Sequence, residues 1–479
     1  MDKLEYMLNL LEQHSWLLDT KILTEVLVAM VKCDDITAPE RAEAILTRTN
    51  LLLNNYHFCA ALNGYAKLGR AKKAEQLLKR MEQLHRMGRL EDGPNIVAHN
   101  SVLDALSKTT ENNAIGRAET IFHKMKRSPS SCLRPDMFTY NSMFKVYSSH
   151  GEGIKAERLL AYVVALQKAG KLTEGPSSYT YRIVIEALAK SRNGSRAEQL
   201  LHRMHESDVR PNEFHYTGVL SGYAREGSTV DAERLLQEML QAFDSGYLKE
   251  APSVVAYNCV MHAWANSDAF DAPFRARALI DHMIDTGVTP NVITYNCLLC
   301  ACGNRGMAKE TEKLLKHMHD LYDAGKLEVP PNTISYNCAL DALAKSGDRV
   351  WTVLRAESLV NKMKDLYMAS RRADIKPNMI TYRSLLRCYA NWKLLEDAEN
   401  LLERMRTLHE TGKLEYGPDK LSYQAVITVL EGSDEKDAPK RAAKLKQEVE
   451  AIYGEGGWQQ ETLIEVDQVG ALLEYMNVS

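Results

Sequence analysis

Apolar residues recur at i, i+3, i+4 and i+7 in short paired runs along this chain, a spacing that predicts amphipathic helices joined by turns. The first helix of a pair reads like Tyr295-Asn296-Cys297-Leu298-Leu299-Cys300-Ala301, and the second like Ala197-Glu198-Gln199-Leu200-Leu201-His202-Arg203-Met204. Each carries one apolar stripe that a single pair cannot hide, so it needs a neighbouring pair. The second pattern returns at Ala74 to Met81, Ala118 to Met125, Ala232 to Met239, Ala356 to Met363 and Ala398 to Met405. Its small first residue lets helices approach closely, while Leu and Met fill the seam. A proline follows each second helix and is expected to stop it, having no N–H to donate.

A proline-polar pair followed four residues later by an aromatic-polar pair recurs nine times. The clearest copies are Pro94-Asn95 with His99-Asn100, Pro135-Asp136 with Tyr140-Asn141, Pro252-Ser253 with Tyr257-Asn258, Pro290-Asn291 with Tyr295-Asn296, and Pro331-Asn332 with Tyr336-Asn337. Variants stand at Pro176 to Arg182, Pro211 to Thr217, Pro377 to Arg383 and Pro418 to Gln424. Self-similarity at a period of about 20–50 residues signals a solenoid, whose unit of function is one repeat and whose expected role is extended binding.

The residues resemble the pentatricopeptide repeat family, whose consensus reads Val-Thr-Tyr-Asn-x-Leu-Ile, then Ala-x-x-Leu-hydrophobic-x-x-Met, then Pro-Asp/Asn. Val292-Ile293-Thr294-Tyr295-Asn296 and Thr333-Ile334-Ser335-Tyr336-Asn337 match it closely. The resemblance implies an all-α, right-handed superhelical solenoid of helix-turn-helix repeats. Its expected divisions are an N-terminal cap helix at 1–19, a degenerate repeat at 20–54, ten repeats at 55–454 and a C-terminal capping helix or tail at 455–479. The period departs from the family's usual value of about 35, running 41, 41, 35, 41, 38, 41, 46 and 41 from Pro94 to Pro418. Every other unit is long, with an insert such as Gly170-Lys171-Leu172, Gly325-Lys326-Leu327 or Gly412-Lys413-Leu414. An ancestral two-repeat unit, with one second helix extended by about a turn, accounts for the alternation.

The residue after the aromatic would form a ladder of Asn100, Asn141, Asn258, Asn296 and Asn337, each amide able to donate and accept toward a base edge. Helix capping is the alternative for these asparagines, although it does not predict Arg182, Arg383 or Gln424. By the resemblance, that residue and the one just before the next repeat read one base together. The implied pairs are Asn100 with Asp136, Asn141 with Ser177, Thr217 with Ser253, Asn258 with Asn291, Asn296 with Asn332, and Asn337 with Asn378. The family's pattern gives roughly U, C, an unassigned base, A and then three pyrimidines, 5′ to 3′. Cys59 with Asn95, Arg182 with Asn212 and Arg383 with Asp419 depart from the usual pairs, and Thr24 with Asn54 leans to adenine.

Two residues before the aromatic stands a mostly apolar side chain: Tyr56, Val97, Phe138, Tyr179, Phe214, Val255, Ile293, Ile334, Ile380 and Leu421. In the family these sandwich the bases; a hydrophobic staple at the helix start is the alternative. Eight residues after the readout position stand Lys32, Lys67, Lys108, Lys190, Arg225 and Lys345, a line of cations suited to a phosphate chain, with favourable charge at helix C-termini as the alternative.

Composition changes this picture little. The net charge of −3 argues mildly against a nucleic-acid partner, so placement of cations matters more than their sum. No apolar run approaches the roughly 18 residues of a membrane span, and no membrane or small-molecule partner is expected. Of the nine cysteines, Cys297, Cys300 and Cys302 contain a C-x-x-C, yet Cys259, Cys297 and Cys338 share one phase and read as seam residues; zinc is the alternative. His150-Gly151-Glu152 is the one deaminase-like triplet and lies in a turn within the repeats. No catalysis and no cofactor or metal are expected.

The reading is therefore a sequence-selective protein that binds about ten nucleotides of single-stranded RNA, pyrimidine-rich toward the 3′ end, in organelle RNA metabolism. The rival is a tetratricopeptide-like scaffold or a structural subunit of a ribonucleoprotein, binding protein partners. Its Trp-x-x-Leu-Gly-x-x-Tyr pattern is absent. The resemblance implies mitochondrion or plastid, whereas Met1 to Ser15, with Asp2, Glu5 and Glu12, lacks the character of a transit peptide.

Overall fold

The computed structural model describes residues 20–33, 35–48, 53–90, 92–128, 133–207, 209–347 and 351–454. The expected terminal helices at 1–19 and 455–479 lie outside them. The described residues hold 22 α-helices and one short 3-10 turn, Ala373–Ile375, in an all-α repeat solenoid. None of these helices is long and apolar enough to cross a membrane. The chain divides into two compact units, 1–222 and 223–479.

The first unit holds five helix pairs, from Thr20–Lys32 with Ala38–Arg48 through Ser178–Lys190 with Gly194–Glu206. Helix Glu213–Glu226 runs through the division. The second unit continues with Thr229–Asp244 and five further pairs, from Val254–Ala265 with Ala272–Asp285 to Lys420–Glu431 with Ala438–Tyr453. Within each unit, an interior first helix packs on its own second helix, on the second helix before it, and on the first helices before and after it.

That fourfold contact corrects the expectation of one apolar stripe per helix for the interior first helices. Helix Val292–Asn304 buries every residue from Thr294 to Gly303. A helix enclosed on all sides is the one that can be apolar all round. Second helices keep a single stripe, as in Leu395–Glu410, where Leu395, Ala398, Leu401, Leu402 and Met405 are buried. Each such buried leucine stabilises the fold by about 1.5–3 kcal/mol. Helix Val292–Asn304 also approaches its neighbour very closely, since a Cβ on Gly303 would stand 2.8 Å from the Cys338 carbonyl oxygen.

Glycine, not proline, ends the lengthened second helices. Gly88, Gly170, Gly246, Gly325 and Gly412 take φ between 65° and 72°. The next amide then turns back onto the helix: Arg89, Lys171, Lys326 and Lys413 each donate to the carbonyl five residues earlier at 2.9 Å. Leu90, Leu327 and Leu414 follow and are buried, the hydrophobic contact that accompanies a left-handed helix stop. Lengthened second helices run 16 residues against 13 or 14 in Gly194–Glu206 and Ala272–Asp285. The insert therefore adds less than a turn of helix, and its remainder forms this leucine hook.

The glutamate after the small residue of the second helix ties successive repeats together. In the first unit Glu75 accepts from Arg117 at 2.9 Å, Glu119 from Tyr147 at 3.2 Å and Glu157 from Arg196 at 2.9 Å. In the second unit Glu233 accepts from Trp264 at 2.8 Å, Glu312 from Arg355 at 2.7 Å, Glu357 from Tyr389 at 2.6 Å and Glu399 from Arg441 at 2.8 Å. Every donor belongs to the following repeat.

Candidate functional site

Each member of the expected readout row, from Thr24 and Cys59 to Arg383 and Gln424, is the fifth residue of its first helix. Each expected partner from Asn54 to Asp419 stands immediately before the next first helix. The partners do the capping: the side chains of Asn54, Asn95, Asp136, Ser177, Asn291, Asn332, Asn378 and Asp419 accept backbone N–H groups of the first helical turn. Capping therefore does not account for the asparagines in the fifth position.

The two rows meet. In the second unit, Nδ2 of Asn258 donates to Oδ1 of Asn291 at 3.4 Å, Asn296 to Asn332 at 3.3 Å and Asn337 to Asn378 at 3.3 Å. Arg383 donates to the Asp419 carboxylate at 2.9 Å, an ion pair formed by a largely buried guanidinium. In the first unit the Cys59 thiol faces Oδ1 of Asn95 at 3.8 Å. Arg182 is exposed and lies over the Tyr179 ring at 5.3 Å. Thr217 and Ser253 fall in different units. Asn258, Asn296 and Asn337 are buried, whereas Asn100 and Asn141 are half-buried and Gln424 is exposed.

The apolar row holds the second residue of each first helix, one turn from the fifth and on the same face. Tyr56 and Phe138 are 73 % exposed and Phe214 61 %. A staple would be covered, so the staple reading fails at these three positions. Val97, Tyr179 and Leu421 are also exposed, while Val255, Ile293, Ile334 and Ile380 are half-buried.

The cation row lies at the ends of the first helices, but several of its charges are already engaged. Lys108 pairs with Asp104 at 2.8 Å, Lys190 with Glu186 at 2.8 Å and Lys345 with Asp341 at 2.6 Å, each one turn back on the same helix. Asp104 and Asp341 also take Lys145 at 3.4 Å and Arg387 at 2.6 Å from the next first helix. Lys108 further donates to the Ala66 carbonyl at 2.8 Å, and Asn304 donates to that of Ala265 at 2.8 Å. This position thus closes the C-terminus of the preceding first helix, using asparagine as readily as lysine. Lys32 and Lys67 are exposed, and Arg225 is half-buried.

Sequence reading missed the third residue of the first helix. Thr139, Thr180, Thr294, Ser335, Thr381 and Ser422 are buried there, as are His57 and His215. In most of these repeats the side chain accepts the cap residue's own N–H, closing a capping box. The cap-x-x-Ser/Thr spacing was the available signal, obscured because Glu or Gln is the usual closing residue. Cys259, Cys297 and Cys338 occupy the seam and are buried, burial pushing the Cys259 thiol up to about 12, whereas Cys33 is exposed. In the deaminase-like triplet, the His150 ring bonds the Val146 carbonyl at 2.9 Å and Gly151 forms the turn.

Comparison with known proteins agrees with this architecture. Family models match as the PPR repeat family over residues 252–304, as the pentatricopeptide repeat domain over 175–223, 199–267 and 366–431, and as the PPR repeat over 56–85, 138–162 and 293–321. A chloroplastic pentatricopeptide repeat-containing protein of Arabidopsis thaliana is 26 % identical over 251 residues, 52 % of this chain and 29 % of its own length. A mitochondrial one from the same plant is 23 % identical over 345 residues, 72 % of this chain and 38 % of its own. The chain thus spans less than half of either relative. The crystal structure of the pentatricopeptide repeat protein PPR10 from maize shares the fold, with a TM-score of 0.52 and 23 % identity over 98 % of this chain and 59 % of that one.

Proposed function

This chain belongs to the pentatricopeptide repeat family, and on that premise we propose that it binds single-stranded RNA, one base per repeat, without chemistry of its own. One observation carries the reading: a fifth-position amide bonded to the next repeat's cap recurs at Asn258, Asn296 and Asn337, with an apolar side chain one turn away. Polar edges at a constant spacing, flanked by apolar faces, suit unstacked bases better than a folded peptide. The base order is that implied by the family pattern, with pyrimidines facing the three asparagine pairs.

Chloroplastic and mitochondrial relatives support an organelle as the place of action. The task there is stability, processing or translation of a transcript. Selection from a random RNA pool tests the reading. A recovered motif with three consecutive pyrimidines near its 3′ end is the expected result, and a pool that stays random through repeated rounds contradicts it.

A further inference from the structure

We infer that the buried Ser or Thr at the third position of six first helices, Thr139, Thr180, Thr294, Ser335, Thr381 and Ser422, is a specificity-determining residue for the repeat before it. Its single hydroxyl proton is directed by the charge of its own cap, and this inference rests on the RNA-binding reading. The hydroxyl's acceptor side is already committed. Asn291, Asn332 and Asn378 each donate their backbone N–H to it at 3.1 Å, and Asp136 and Ser177 do so at 3.3 Å. What varies is where the proton goes.

Where the cap is neutral, the proton goes to the preceding repeat's asparagine. Thr180 donates to Oδ1 of Asn141 at 2.9 Å, Thr294 to Asn258 at 2.8 Å, Ser335 to Asn296 at 2.6 Å and Thr381 to Asn337 at 2.8 Å. In the last three repeats the cap's own oxygen stands farther from the hydroxyl, at 3.1, 3.2 and 3.0 Å. Where the cap is a carboxylate, the proton goes to the cap. Thr139 donates to Asp136 at 2.8 Å in competition with Asn100, and Ser422 donates to Asp419 at 2.5 Å, where the preceding Arg383 offers no acceptor. A charged acceptor outcompetes an amide oxygen for one donor. Oδ1 of Asn100, the asparagine before Asp136, is correspondingly buried without a hydrogen-bond partner.

The consequence lies at the readout amide. In the neutral-cap repeats at Asn258, Asn296 and Asn337, one side of the amide is held by the hydroxyl and the other by the cap asparagine, so it cannot turn over. One N–H and one lone pair remain for a base. In the Asp136 repeat, Asn100 keeps its whole acceptor capacity. The cap's charge thus reaches the preceding amide through the third-position hydroxyl.

Thr294→Val and Thr139→Val remove equivalent hydroxyls from two capping boxes, and only the first holds a readout amide. Binding is measured with twelve-nucleotide RNAs carrying the family-implied order and differing by one base opposite the Asn258 or the Asn100 repeat. Thermal melting of each variant reports the capping loss. Expected is that Thr294→Val lowers discrimination between bases opposite Asn258 by about fivefold, the worth of one hydrogen bond. Thr294→Ser retains it, and Thr139→Val leaves discrimination opposite Asn100 unchanged. Thr381→Val, read opposite Asn337, repeats the test should Thr294→Val not fold. Unchanged discrimination in Thr294→Val, or equal losses in Thr294→Val and Thr139→Val, overturns the inference while leaving the RNA reading intact. Failure of the unaltered protein to bind any of these RNAs overturns both.

Discussion

Phe138 stands 73 % exposed beside a half-buried Asn141, an arrangement that costs hydration of an aromatic ring and contributes little to packing. Phe138→Ala is therefore expected to leave unfolding free energy within about 0.5 kcal/mol of the parent while weakening RNA binding by about 1–3 kcal/mol. Paired urea melts and RNA titrations check the split. Gly303 makes the opposite case. Its missing Cβ lets the Cys338 carbonyl approach, so Gly303→Ala is expected to cost about 1–3 kcal/mol in a urea melt. The asparagine ladder was legible because identity recurred at one phase. The third-position hydroxyls were not, because Thr294, Ser335 and Thr381 read as ordinary helix-start residues until their distances to the preceding repeat are known.

First and second helices were legible from periodicity, and their ends were less so. Proline seemed the natural stop, but the backbone has already left the helix at Gly88, Gly325 or Gly412, and the proline only leads into the next cap. A one-stripe reading also failed for interior first helices such as Val292–Asn304, because their burial comes from neighbours some forty residues away in sequence as well as from local pattern, whereas Thr20–Lys32 keeps the single stripe Leu23, Val26, Leu27 and Met30. Caps and closing residues now give element-level expectations. Asn378→Ala removes the acceptor for the Thr381 N–H and is expected to cost about 1 kcal/mol.

His215 closes its helix start as a neutral ring: Nδ1 accepts the Asn212 N–H at 3.1 Å, and Nε2 faces the Ser178 carbonyl at 2.9 Å. Burial pushes its pKa below the ordinary histidine value, and the Arg182 charge acts in the same direction. Protons then bind the unfolded ring more readily than the folded one. The stability contributed by the neutral ring is fully present above about pH 6.5 and is lost as pH falls toward the folded value. Melting temperature should drop between about pH 7.5 and 5.5, and His215→Gln should reduce that drop. His99, also buried and lowered, adds to the same trend.

At the scale of the molecule, repetition was legible in the sequence and the electrostatics were not. The line of cations was read from spacing alone, yet Asp104 and Asp341 hold Lys108, Lys145, Lys345 and Arg387. A phosphate chain must compete with those carboxylates. Asp341→Asn is therefore expected to raise RNA affinity at low salt and to steepen its salt dependence, by a slope of about 0.7 for each additional phosphate neutralised. The net charge of −3 does not exclude an RNA partner, since the placement of cations matters more than their sum.

The most direct test is a titration of the purified chain with a twelve-nucleotide RNA in the family-implied order, against its scrambled and purine versions, over a salt series. Tight binding of the ordered RNA that weakens with salt, and that falls when Asn296 and Asn337 are both replaced by alanine, is the predicted result. Equal affinity for all three RNAs, or none at the lowest salt from a protein shown to be folded, would contradict the account.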